Sequence, residues 1–191
     1  MSISSHVNYR ENYFQHTTLT KISGVPTYAS LTKLERECKA NGKSSSSTLG
    51  GGLQGHLGLV CSTAAYNRVS PGVPFDRPDL PVLPDLSGST AAQIEDARRR
   101  FKDDLLAINA CNLIERTIVQ QINTALDEDC LADLIDGDTG LLEGTIPQII
   151  QTLFNTYGSI TPQSLATAKA KVKAITYNHG RPIVTIFTAI N

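Results

Sequence analysis

Tryptophan is absent from this 191-residue chain, methionine occurs once, and aromatic residues make up only 6% of it. A core without large rings must be filled by Leu, Ile, Val and Ala. With 40% hydrophobic content these suffice for one domain of ordinary size or two small ones. Charge of one sign is missing too. Seventeen basic residues against eighteen acidic ones leave a net charge of -1. That balance argues against bulk neutralisation of nucleic-acid phosphate, which needs a basic excess, but leaves room for a local basic patch. No apolar run approaches membrane length, and the opening residues lack the apolar core of a signal peptide, so no membrane partner is expected. The four cysteines, Cys38, Cys61, Cys111 and Cys130, show neither C-x-x-C nor paired Cys/His spacing. This fits neither zinc nor a dense disulfide framework. Buried reduced thiols are expected instead, in a cytoplasmic or alternatively nuclear protein. No segment alternates with strand period over a useful length, and the fold class expected is all-α, a helical bundle.

What is present is helix grammar. Residues 1–25 are polar and aperiodic and read as a flexible, extended arm. Pro26 opens a helical pattern of Tyr28, Leu31, Leu34 and Cys38, with Asn41-Gly42 as its stop signal. Residues 43–60 are rich in Ser and Gly and resist regular structure. Ser62 caps a short helix, and residues 70–88 carry five prolines in an extended connector. Ser89 or Thr90 then caps a long helix to about Leu126, marked by Ile94, Ala97, Phe101, Leu105, Ile108, Cys111, Ile114, Ile118 and Ile122, with a break expected near Ile108 to Ala110. Asp127 is placed to cap another short helix. Ile146, Ile149, Ile150, Leu153 and Phe154 form the next one, ending at Gly158. Thr161-Pro162 opens a helix striped by Leu165, Ala168, Val172 and Ile175, and Arg181-Pro182 opens a last one with Ile183, Phe187 and Ile190. Three units follow: the arm to residue 25, a main helical domain over 26–158, and the start of a C-terminal lobe over 159–191.

Chemistry is scarce in this pattern. The glycine-rich stretch invites a phosphate-cradling reading, but no G-K-[ST] follows it, and a structural loop is favoured. Asp136, Asp138 and Glu143 miss the calcium-loop register, which favours a polar turn. His6, His16, His56 and His179 have no acidic or cysteine partner close in sequence. Arg98, Arg99, Arg100 and Lys102 beside Asp103 and Asp104 read as a solvated helix face. Lys169, Lys171, Lys173 and Arg181 make the C-terminal region locally basic, a candidate contact for RNA whose bland alternative is an exposed helix face.

The residues Leu153, Tyr157 and Gly158, then Leu165, Val172, Ile175 and Tyr177, then Ile183, Phe187 and Ile190 resemble the Gag protein of copia-type LTR retrotransposons. There an L-x-x-x-Y-G-like helix end precedes two apolar helices. The resemblance covers residues 18–191 and implies a capsid-like domain whose helical lobes self-assemble around RNA. The zinc knuckle that often follows in that family has no counterpart here. Asn191 falls inside the expected second lobe, which implies an incomplete copy. The function expected is therefore non-catalytic self-assembly into a homo-oligomer, with no cofactor and no small-molecule substrate. Leu153, Phe154, Tyr157, Leu165, Val172, Ile175, Phe187 and Ile190 are the expected packing and assembly set. The alternatives are a nucleic-acid-binding module using the basic region and an enzyme of unrecognised type with the glycine loop and His56 near a pocket.

Overall fold

The computed structural model describes residues 14–82, 84–159, 165–166 and 169–170. Among them lie four full α-helices, α1 (Tyr28–Ser44), α2 (Thr63–Val69), α3 (Ala91–Ala125) and α4 (Ile146–Tyr157), and no strand beyond one isolated bridge, Ile135 with Leu142. The fold is all-α. Lys169 is also helical and exposed.

Three of the four helices begin with the same local device. A threonine stands at the N-cap and a short polar residue three positions later reaches back to it. The Thr27 amide donates to the Ser30 hydroxyl at 2.8 Å, the Thr90 amide to Gln93 Oε1 at 2.9 Å and the Thr145 amide to Gln148 Oε1 at 2.8 Å. Helix α2 starts at the expected Ser62, whose hydroxyl accepts from Ala65. Each start is therefore dictated by residues a few positions apart, before any tertiary contact forms.

The core lies between α1, the second half of α3 and α4. Leu31, Leu34 and Cys38 face Cys111, Ile114, Ile118 and Ile122, with Ile146, Ile149 and Leu153 closing the third side. A smaller cluster of Leu57, Cys61 and Tyr66 packs on Phe75. The ring of Phe75 meets Tyr66 edge-on at 5.7 Å between centroids and occupies the space left by the missing side chain of Gly58.

Several expectations are corrected. Residues 14–25 are extended but are no free arm: Phe14, Leu19 and Ile22 are buried members of the main core. The Ile22 amide donates to the Ala125 carbonyl at 2.7 Å, and the Gly24 amide to Asp127 Oδ2 at 2.8 Å. The segment is a strap across the helices. Helix α1 passes through Asn41-Gly42 and ends at Ser44, because Asn41 is wholly buried with tertiary partners and the missing Cβ of Gly42 admits the Val60 side chain. Residues 43–60 hold two 3-10 turns, Leu49–Gly51 and Leu57–Leu59, and the second packs on α1. Helix α3 has no break at Ile108 to Ala110 and runs for 35 residues. Asp127 is engaged by the strap, and only two 3-10 turns, Glu128–Cys130 and Ala132–Leu134, follow it.

Glu37 shows what fixes the strap. The carboxylate is 7% exposed and accepts from the Thr20 amide at 2.7 Å and the Thr20 hydroxyl at 2.6 Å. Burial pushes its pKa up, but the two Thr20 hydrogen bonds, with His16 and Lys33, outweigh burial and hold it below the ordinary carboxylate value. A depressed folded-state pKa means that the ionised form favours folding above the unfolded value and that this contribution is lost as pH falls through the folded value. Glu37→Gln is expected to lower stability by about 1–3 kcal/mol at neutral pH. It also flattens the acid limb of the stability profile, read by urea titration between neutrality and acid. An unchanged acid limb in the variant would assign the strap's attachment to other groups.

Candidate functional site

Helix α4 carries the part of the expected packing set that can be placed. Ile146, Ile149, Ile150 and Leu153 are buried at helical spacing. Leu153 is 1% exposed. Phe154 stands one step off that face, half-buried, and its ring meets Tyr28 edge-on at 5.6 Å and 62°. Tyr157 is half-buried beside Cys130, whose thiol pKa is raised by burial and by Asp127 and Asp129. Leu165 does not join them: it is 47% exposed. Val172, Ile175, Phe187 and Ile190 lie outside the described residues, as do Lys171, Lys173 and Arg181. The four cysteines form no disulfide among the described residues, and Cys38, Cys61 and Cys111 are buried. Burial pushes the Cys38 thiol up to about 12. A thiol so raised is a packing group and no nucleophile at neutral pH. Among the described residues no cluster of three or more His, Cys, Asp or Glu could hold a metal, and no helix is long and apolar enough to cross a membrane.

A second place collects chemistry that the linear order separates. Residues 46–49, where the glycine-rich loop begins, face one side of α3 across a cavity of about 520 Å³. Ser46, Ser47 and Thr48 supply hydroxyls, and Asp103 supplies a carboxylate. Leu49, Leu106, Ala107 and Ala110 supply apolar wall, and His56 completes the lining. His56 is 2% exposed. Its amide donates to the carbonyls of Gly42 and Ser45 at 2.9 and 3.1 Å, and its Nδ1 stands 3.0 Å from the Ser45 carbonyl. A carbonyl only accepts, so Nδ1 carries a proton and the ring orientation is set. Gly55 makes this fold-back possible. Its φ is +54°, and a Cβ there would strike the Ser45, Lys43 and Gly42 carbonyls.

The sequence pattern singled out His56 and the glycine loop but not Asp103 or Leu106. Asp103 read as one charge of a solvated face, and it is indeed exposed. What it lacked was a partner, because residues 46–48 lie more than fifty positions away and no local signal joins them.

A third feature concerns α3 alone. Its buried residues begin at Ala110. The preceding nineteen, over roughly 28 Å at 1.5 Å per residue, reach beyond the core. Ile94, Ala97, Phe101, Leu105 and Ile108 continue the apolar stripe along this half yet are only half-buried. The proline-rich connector runs back beside them. Arg77 grips Glu115 at 2.7 Å and the Asn112 side chain at 2.6 Å, and Pro81, Val82 and Pro84 border a groove with Ala97 and Phe101. Leu80 and Val82 are 72% and 86% exposed.

The split within α4 and beyond is measurable. Leu153→Ala is expected to cost about 2–5 kcal/mol, because the cavity it leaves is closed on all sides. Leu165→Ala stays within about 0.5 kcal/mol, as exposed positions do. Denaturant midpoints of the two variants compare them directly, and equal losses would contradict the placement of Leu165. Comparison of the chain with protein-family models, with curated proteins and with solved structures finds no match.

Proposed function

We propose that this chain is a non-catalytic assembly module, a helical domain that associates with copies of itself in the manner the Gag resemblance implies. The observation that supports the reading is the outer half of α3. A helix of this length with an apolar stripe continuing past the end of its core is costly in water unless something covers it. The connector covers part of the stripe and adds exposed apolar side chains of its own, Leu80 and Val82. The surface so formed is flanked by charges of both signs. Arg99 and Arg100 are tied to Asp96, while Arg98 stands exposed nearby. Alternating signs suit self-association better than attraction of a polyanion.

The RNA-binding alternative has less behind it. Of its four basic residues only Lys169 is among those described, and it is solvent-exposed.

Light scattering across a concentration series tests the proposal. The expected result is a mass that rises above one chain as concentration increases. Leu80→Glu with Val82→Glu, two solvent-exposed substitutions that leave the core untouched, returns it toward the monomer. A strict monomer at high concentration overturns the reading.

A further inference from the structure

We propose that the cavity between residues 46–49 and α3 is a binding site for a small molecule that carries an ammonium group on an apolar body. This goes beyond self-assembly and does not depend on it. The cavity's volume of about 520 Å³ lies in the ordinary range for small-ligand sites. Its lining is chemically one-sided. Asp103 brings a carboxylate, and among the described residues neither Lys nor Arg is in the lining to answer it. Asp103 takes part in no ion pair among the described residues, although Arg99, Arg100 and Lys102 are close by in the same helix. Both arginines are committed to Asp96.

Ser46, Ser47 and Thr48 line the cavity together with this carboxylate, and the Ser47 hydroxyl also accepts from the Leu49 amide at 3.1 Å. A carboxylate and hydroxyl oxygens together offer the acceptors that an ammonium group needs, and its three donors match them. The remaining wall is hydrocarbon: Leu49, Ala107, Ala110 and Leu106, which is 57% exposed. An inorganic cation would leave that wall wet, and an anion would meet Asp103. A compact amine with a ring or branched alkyl body satisfies both halves. His56 enters as fixed wall, held by the Gly42 and Ser45 carbonyls, and no reaction is assigned to it.

Saturation-transfer NMR on the full chain reads such weak binding and tolerates self-association. The probes are benzylamine, its neutral analogue benzyl alcohol and its anionic analogue benzoate. Benzylamine is expected to saturate with a millimolar-range Kd, benzyl alcohol to bind about fivefold more weakly and benzoate to show no transfer. Asp103→Asn, an exposed substitution, lowers benzylamine affinity about fivefold and leaves benzyl alcohol unchanged. Ala107→Leu, which fills the cavity without burying a polar group, weakens both. Benzoate binding as well as benzylamine overturns the proposal. So does benzylamine binding indifferent to both variants, and so does no transfer from any probe.

Discussion

The placement of everything else depends on one buried side-chain amide, that of Asn41. It is wholly shielded from water, and an amide in that position must satisfy both of its ends or cost the fold several times what a hydrogen bond contributes. Its Nδ2 donates to the His16 carbonyl and to Gln121 Oε1, both at 2.9 Å, and its Oδ1 accepts from the His16 amide at 2.7 Å. Three parts of the chain meet there: the strap, α1 and α3. Gln121 completes the loop by donating to the Thr17 carbonyl at 2.9 Å. The polar groups set the register of the strap, and Phe14, Leu19 and Ile22 then seal the core it crosses. Apolar packing fixes which face of the strap is buried, but its contacts are not directional. Those of a buried amide with fixed donors and acceptors are.

From that anchor the asymmetry of α3 follows. The strap, α1 and α4 all gather around its second half, where Cys111, Ile114, Ile118 and Ile122 are buried. Among the described residues nothing comparable reaches residues 91–109. The connector lies along that half, pinned at one end by Arg77 to Glu115 and Asn112. Five prolines make it poor at donating hydrogen bonds, so it contributes surface more than a second layer of core. Among the described residues, one unbroken helix thus has a densely packed half and a sparsely packed half.

The helix starts at Ser62 and at Thr90 with Gln93 were legible in the sequence because their cause is local. Thr27 with Ser30 and Thr145 with Gln148 carry the same groups within four residues, though the sequence pattern singles out neither threonine and places the first helix from Pro26. The strap was not legible, since polar residues such as Thr17, Thr18, Thr20 and Lys21 dilute the three apolar ones and their partners lie from seventeen to more than a hundred positions away. Asn41-Gly42 misled for a related reason. The pair has the composition of a helix stop, yet the asparagine is held by tertiary hydrogen bonds and the glycine by the close approach of Val60, with His56 behind it. The glycine loop was half legible. Its glycines do take left-handed φ, at Gly50, Gly51, Gly52 and Gly55, but they serve to fold residues 43–60 back onto α1 rather than to loosen them. A composition that reads as freedom becomes constraint once Gly55 sits against three carbonyls.

The cavity and the connector groove occupy different faces of the same half-helix. No lining residue is common to the two, and at about 100° per residue their centres lie roughly a quarter-turn apart around the axis. If copies associate through the connector side as proposed, the Leu106 side of the helix is not part of that groove, and an occupant against Asp103 is not lined by Phe101 or Val82. The faces are nonetheless linked mechanically. The absence of a break at Ile108 to Ala110 makes the outer half a rigid continuation of the helix that Asn41, through Gln121, holds in register. Anything that tilts the outer half must either bend an unbroken helix or disturb that buried amide, and both resist. Assembly and ligand occupancy are thus expected to be compatible, joined by stiffness and not by competition for surface.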